Sequence, residues 1–248
     1  VIDYSAEAEK YDASRGGEPR AEVAAAAVER LLPEGTRSLL DIACGTGIVT
    51  RRLRRPGRTV LGTDRSPGML SLASERLPGR VVTGDATRLP FASRSLDAVV
   101  LIWLLHLLPE AAPVLSEAAR VLRPGGVLIT TVDKDEAYFG TPSDIAELTE
   151  PLRRAYAPRV TDQTDRVLRL AGRHGLGLIG ETTFPGLGQG RGPLKWHDAI
   201  AADRIPWARA GAPGEVDALL RDLKALPDQE GPRPDPLYRV VALSRPPV

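Results

Sequence analysis

The chain has a single cysteine, Cys44, in 248 residues, which excludes an internal disulfide framework and a cysteine-based metal cluster. Lysine is almost missing: all but four of the 33 basic residues are arginine. With so much Ala, Gly and Pro, that bias points to a GC-rich coding sequence and not to a function. Aromatic residues make up 4% of the chain and histidine occurs three times. No hydrophobic run reaches membrane length, the longest being Ala98 to Leu105, and no signal peptide pattern starts at Val1. The expected compartment is therefore cytoplasmic, with no membrane partner. A net charge of +1 gives no general attraction to nucleic acid. The run Arg51, Arg52, Arg54, Arg55 and Arg58 reads as a solvated helix face, because no basic or aromatic stripe accompanies it elsewhere.

What remains is an ordinary globular composition, 42% hydrophobic and 26% charged, organised around one stretch. Leu39 to Ile42 is apolar apart from Asp41, and Gly45-Thr46-Gly47 follows. That order reads as a buried strand, a tight turn and a helix start, with glycines that let backbone approach a ligand closely. Further strands are expected at Thr59 to Thr63, Arg80 to Thr83, Leu96 to Ile102, Val127 to Val132, Leu178 to Phe184 and Tyr238 to Ser244. Helices are expected at Arg20 to Leu32, after Gly47 as far as Pro56-Gly57, and at Pro67 to Leu77 with Ser66 as N-cap. Others follow at Pro113 to Leu122, Ser143 to Tyr156, Gln163 to His174 and Glu215 to Leu226.

Alternating strands and helices predict a doubly wound, mostly parallel sheet, whose ligand lies beyond the carboxyl ends of the strands. Asp41, Asp64, Asp85 and the Ile102-Trp103 pair all end or follow strands, so they are expected to converge. The whole chain, 1–248, reads as one domain, with 133–177 and 185–236 as helical cap insertions on the substrate side. The glycine-rich stretch Gly186 to Gly192 lacks the lysine and helix start of a phosphate loop and reads as a mobile loop.

Four stretches in order carry a family resemblance: Asp41 to Gly47, Gly62 to Leu70, Gly84 to Phe91, and Glu117 to Gly126. They resemble the motifs of class I S-adenosylmethionine-dependent methyltransferases, most closely the small-molecule group related to ubiquinone and menaquinone biosynthesis. The resemblance implies a seven-stranded sheet of order 3-2-1-4-5-7-6 with the last strand antiparallel. It implies S-adenosylmethionine as cofactor, with the backbone of Ala43, Gly45, Thr46 and Gly47 around its methionine part and Asp41 near the ammonium group. Asp64 would accept from the ribose hydroxyls, Arg65 and Met69 would flank the adenine, and Asp85 and Ala86 would meet the adenine edge. Ile102 completes the wall. Tyr11 and Arg15 resemble an N-terminal element that closes over the methionine end, with Arg15 on the cofactor carboxylate.

The resemblance further implies methyl transfer to an O, N or C nucleophile of a small molecule, such as a secondary metabolite or quinone-like precursor. His106, after the fourth strand, is the candidate base or a loop-holding residue. Trp103, His106, Trp196, His197 and Trp207 are the candidate acceptor residues, since aromatics suit an apolar or planar acceptor. No metal is expected, and oligomeric state is not legible. Two other readings stand beside this one. One is a cofactor-binding enzyme or regulator on the same fold without methyl transfer. The other is a nicotinamide oxidoreductase, which Thr50 disfavours because it occupies the third-glycine position of that fingerprint.

Overall fold

A computed structural model describes residues 4–157 and 160–245. Two helices lead in, α1 (Tyr4–Ser14) and α2 (Gly17–Leu31), the second entered through Gly16 in a left-handed conformation (φ 89°). Then come β1 (Ser38–Ile42), β2 (Thr59–Asp64), α3 (Pro67–Arg76), β3 (Val81–Thr83), β4 (Leu96–Leu101), α4 (Ala112–Val121) and β5 (Leu122–Val132). The later half gives α5 (Asp144–Tyr156), α6 (Thr164–Gly172), β6 (Gly177–Pro185), α7 (Pro193–Ala201), α8 (Pro206–Arg209), α9 (Pro213–Ala225) and β7 (Leu237–Ser244).

The seven strands form one sheet of order β3-β2-β1-β4-β5-β7-β6. β1 pairs parallel with β2 and β4, and β7 pairs antiparallel with β5, as the resemblance implied. β4 is buried at every position, the mark of a strand covered on both faces. The Arg123 to Gly126 stretch lies inside β5, as a bulge between the pairs Leu96–Leu122 and Ala98–Val127.

By compactness the chain divides into two units. The sheet unit comprises Val1–Lys134, Thr161–Phe184 and Tyr238–Val248, and the helical unit comprises Asp135–Val160 and Pro185–Leu237. The first excursion is shorter than 133–177, because α6 belongs with the sheet: Val167, Ala171 and Leu176 join the core formed by β1, β4, β5 and α4. The helical unit has a core of its own, built on Ile145, Trp196, Ile200, Trp207, Leu219 and Leu223. No described helix is long and apolar enough to cross a membrane.

Three local expectations change. The segment after Gly47 is a single 3-10 turn, Thr50–Leu53, not a full helix. Ile48, Val49 and Thr50 are β-branched and stiff in a helix, and the Thr50 hydroxyl is engaged elsewhere. Tyr4–Ser14, to which the sequence pattern assigns no element, is helical in α1. The glycine-rich stretch is held rather than loose, because the Asp235 carboxylate accepts from the backbone N–H of Gly188, Gln189 and Gly190 at 3.1, 2.8 and 2.8 Å.

Candidate active site

β1 delivers Asp41 at 3% exposure, and the chain then turns through Ala43, Gly45 and Gly47 with φ of 59°, 55° and 72°. The two glycines take left-handed backbone freely, while Ala43 does so at a cost of about 1–2 kcal/mol. Gly47 is required for a second reason. A Cβ there would stand 3.2 Å from the Ala73 Cβ of α3, which packs directly on the loop.

Asp64, at the end of β2, clamps this loop. One carboxylate oxygen accepts from Gly45 N–H and the other from Ser66 N–H, each at 2.9 Å. Ser66 in turn caps α3 by accepting from Met69 N–H at 3.3 Å, with Pro67 as the first helical residue. Because each carboxylate oxygen accepts more than one hydrogen bond, Asp64 has capacity beyond these two donors.

A residue that sequence reasoning passed over ties the loop to its neighbours. Asp12 of α1 accepts from the Thr46 hydroxyl at 2.7 Å and pairs with Arg76 at 2.8 Å, while Arg76 also donates to the Thr46 carbonyl at 2.8 Å. Its signal was slight: one acidic residue beside Tyr11 in a polar helix. Thr50 was noticed only as a missing glycine. Its hydroxyl donates to Asp41 at 2.5 Å deep in the wall.

These parts surround a cavity of about 450 Å³, lined entirely from the sheet unit. It brings together the expected carboxylates Asp41, Asp64 and Asp85 with Ala43, Gly45 and Thr46 of the loop. Tyr11, Arg15, Arg65, Met69, Ala86, Ile102 and Trp103 line it as well. Gly47 does not; its part is the packing against α3. Leu104, Leu107, Leu108, Pro109 and Val114 add an apolar wall that sequence reasoning did not single out.

The three carboxylates differ in electrostatics. Burial pushes Asp41 up to about 7, with the charge of Asp64 adding to the rise and the Thr50 hydrogen bond opposing it. Asp85 is exposed and held below the usual carboxylate range, because Thr87 donates to it from both its N–H and its hydroxyl at 2.8 Å, with Arg65 adding a positive charge. Burial, together with Asp41 and Asp64, pushes the Cys44 thiol upward, so this cysteine is a packing group and not a nucleophile.

Trp103 follows β4 with φ 58°, and its backbone N–H donates to the Thr131 hydroxyl at 2.8 Å. The ring meets Phe184 and Tyr238 edge-on at 5.6 Å, and the buried Arg20 guanidinium lies 3.5 Å from its centroid. Arg20, also unforeseen, thereby fixes the ring by a cation–π contact.

The remaining expected residues fall elsewhere. His106 sits half-buried on the 3-10 turn Leu105–Leu107 but does not line the cavity, whose wall takes Leu104, Leu107 and Leu108 from the same stretch. Trp196 and Trp207 are 4% and 6% exposed and form the core of the helical unit around Phe139, at ring separations of 5.3 and 6.5 Å. His197, on α7, contacts the carboxylate of Asp198 at 3.1 Å. The lone Trp and His positions carried no signal separating a core role from a ligand role.

Residues 40–130 match the family model described as a methyltransferase domain. Over 128 residues the chain is 41% identical to the demethylmenaquinone methyltransferase of Mycolicibacterium paratuberculosis, covering 50% of this chain and 52% of that one. The chain thus spans about half the length of the curated relatives it matches. Among solved structures, a chain of a Haloferax volcanii methyltransferase–activator complex superposes with a TM-score of 0.61 at 19% identity, over 99% of each chain. Haemonchus contortus phosphoethanolamine N-methyltransferase 2 in complex with S-adenosyl-L-methionine superposes at 0.53 and 20% identity, over 99% of this chain and 60% of that one. At these identities the structural likeness establishes the fold.

Proposed function

We propose that this chain is a class I S-adenosylmethionine-dependent methyltransferase that transfers the cofactor's methyl group to a nucleophile on a small, largely apolar acceptor. The observation that carries the reading is the convergence of Asp41, Asp64 and Asp85 on one cavity beside the turn at residues 43–47. Each carboxylate has a different environment, as a ligand with a cationic end, a diol and an amino-bearing ring requires.

The residues fit that cofactor on chemical grounds. Asp41 supplies a buried counter-charge for an ammonium group, and Arg15, stacked 5.5 Å from the Tyr11 ring centroid, supplies one for a carboxylate. Asp64 keeps acceptor capacity for two hydroxyls, and one oxygen of Asp85 remains beyond the Thr87 contacts. The buried Thr63 hydroxyl in the same wall has no hydrogen-bond partner among the described residues, so a polar ligand atom there would satisfy it.

When bound, the cofactor supplies an already activated methyl group. The protein's work is then to orient the acceptor and exclude water, effects able to supply about 7–11 kcal/mol of barrier reduction. Ile102, Leu104, Leu108 and Val114 give an apolar wall suited to a planar or aliphatic acceptor, which supports a quinone-like precursor, the acceptor type that the name of the mycobacterial relative suggests. No histidine lines the cavity among the described residues, and we assign His106 no proton-transfer step.

The nicotinamide reading loses further ground. A dinucleotide pyrophosphate asks for a helix N-terminus after the glycine turn. Here a 3-10 turn follows, and Thr50 donates to a buried carboxylate instead.

Calorimetric titration with S-adenosylmethionine and with NAD, followed by a mass shift of one methyl group on a panel of quinone-like acceptors, tests the proposal. Binding of the first cofactor and product formation are expected. Binding of NAD alone, or cofactor binding with no transfer to any acceptor, overturns it.

A further inference from the structure

The amino-terminal end of β2, opposite to the end that delivers Asp64, carries a feature that methyl transfer does not use. A second cavity, of about 420 Å³, lies at the start of β2, with Arg54, Arg55, Arg58 and Arg80 in its wall beside Thr59 and Val60. Three of these arginines come from the loop entering β2, and the fourth from the connection between α3 and β3. Their guanidinium groups therefore approach the concavity from two segments.

Their partners are unevenly distributed. Neighbouring arginines are matched by carboxylates, Arg51 and Arg52 by Glu18 and Arg76 by Asp12. For the four arginines of the cavity wall, Glu29, which lies outside the lining, is the one carboxylate paired with any of them among the described residues, at 2.6 Å from Arg58 and 3.4 Å from Arg55. Arg54 and Arg80 are exposed, with no side-chain hydrogen bond or ion pair among the described residues.

Two of the four are also held in place. Arg58, its side chain only 11% exposed, donates to the carbonyls of Leu53 at 2.9 Å and Thr36 at 3.3 Å. Arg55 donates to the carbonyls of Arg52 and Arg54 at 2.8 Å. A pre-organised cation loses less entropy on meeting an anion than a free one.

We propose that this cavity binds a compact, multiply charged phosphorylated small molecule. Planar guanidinium groups match phosphoryl oxygens in paired hydrogen bonds, and four of them facing one carboxylate leave a local cationic excess on a chain of net charge +1. The arginines close around a pocket instead of running as a stripe, which favours a small polyanion over a nucleic-acid duplex. Thr59 and Asp64 stand at opposite ends of β2, roughly 17 Å apart along the strand, so this site is separate from the cofactor cavity.

Inorganic pyrophosphate is the probe. Titrated calorimetrically into the full chain at about 150 mM salt, where loose surface pairing is screened, it is expected to bind one to one. The double variant Arg54→Ala/Arg80→Ala is expected to weaken that affinity about 10-fold or more, since each lost guanidinium removes charge-assisted hydrogen bonds. Its affinity for S-adenosylmethionine should stay within about twofold of the parent, because neither residue lines that cavity. Absence of pyrophosphate binding, or equal binding by the double variant, overturns the proposal. So does displacement of pyrophosphate by a short DNA duplex, which would make the surface a nucleic-acid site.

Discussion

The two units use charge in opposite ways. In the sheet unit, carboxylates stand at the ends of β1 and β2 and just after β3, where a parallel sheet fixes their positions and turns them toward a cavity. In the helical unit, charge supports packing. Arg153 lies 3.7 Å from the Phe139 ring centroid, Arg191 lies 4.5 Å from that of Tyr138, and Arg233 forks onto Asp144 at 2.6–3.1 Å. Short helices of 4 to 13 residues bury little backbone, so rings and cations must hold them together. The same residue types thus read as ligand groups in one unit and as mortar in the other. Position relative to a strand end, and not residue type, makes the difference.

The largest effect expected from breaking this contrast is on stability. Trp196 sits at 4% exposure between Tyr138 and Phe139, at 5.6 and 5.3 Å. Replacing it with alanine leaves a cavity in a small core, and such truncations cost about 3–5 kcal/mol. Trp196→Ala should therefore lower the denaturant midpoint strongly while S-adenosylmethionine affinity stays within about twofold. A large loss of cofactor affinity at intact stability would make Trp196 a ligand residue and erase the distinction.

Asp64→Ala should do the reverse. It removes the acceptor for Gly45 and Ser66 N–H together with the group proposed to meet the ribose hydroxyls. Charged hydrogen bonds lost in pairs are worth about 3 kcal/mol, or roughly 100-fold in cofactor affinity. Titration calorimetry measures it directly. An affinity unchanged from the parent would mean that Asp64 only clamps the loop, as Asp235 clamps residues 188–190.

The contrast also explains how much was legible beforehand. The strands and the convergence of Asp41, Asp64 and Asp85 follow from period and motif, because buried parallel strands and glycine turns constrain sequence tightly, while the strand order is what the family resemblance implies. Asp12, Thr50 and Arg20 stayed hidden, since each acts through a partner far along the chain: Thr46, Asp41 and Trp103. Long-range pairing leaves no local pattern. The helical unit was the least readable. α7 and α8 are short and each begins at a proline, and Trp196 and Trp207 look alike in sequence whether they face a ligand or a core.

The smallest effect, and the finest test, concerns Asp41. Its carboxyl is raised to about 7 by burial, so near neutral pH the folded protein holds a proton that the unfolded chain has released. A raised carboxyl stabilises the fold fully below its unfolded value of 3.8, and that contribution is lost as pH rises through about 7. Cofactor binding should run the other way. Only ionised Asp41 offers a counter-charge to an ammonium group, so affinity should rise between pH 6 and 8, by at most about tenfold per unit, and level off above. Binding near pH 7 should also release a proton, seen as a calorimetric enthalpy that varies with the ionisation enthalpy of the buffer. Asp41→Asn should abolish both signatures. A pH dependence that persists in this variant would assign the titration to another group and leave Asp41, with Thr50, as a buried structural pair like those of the helical unit.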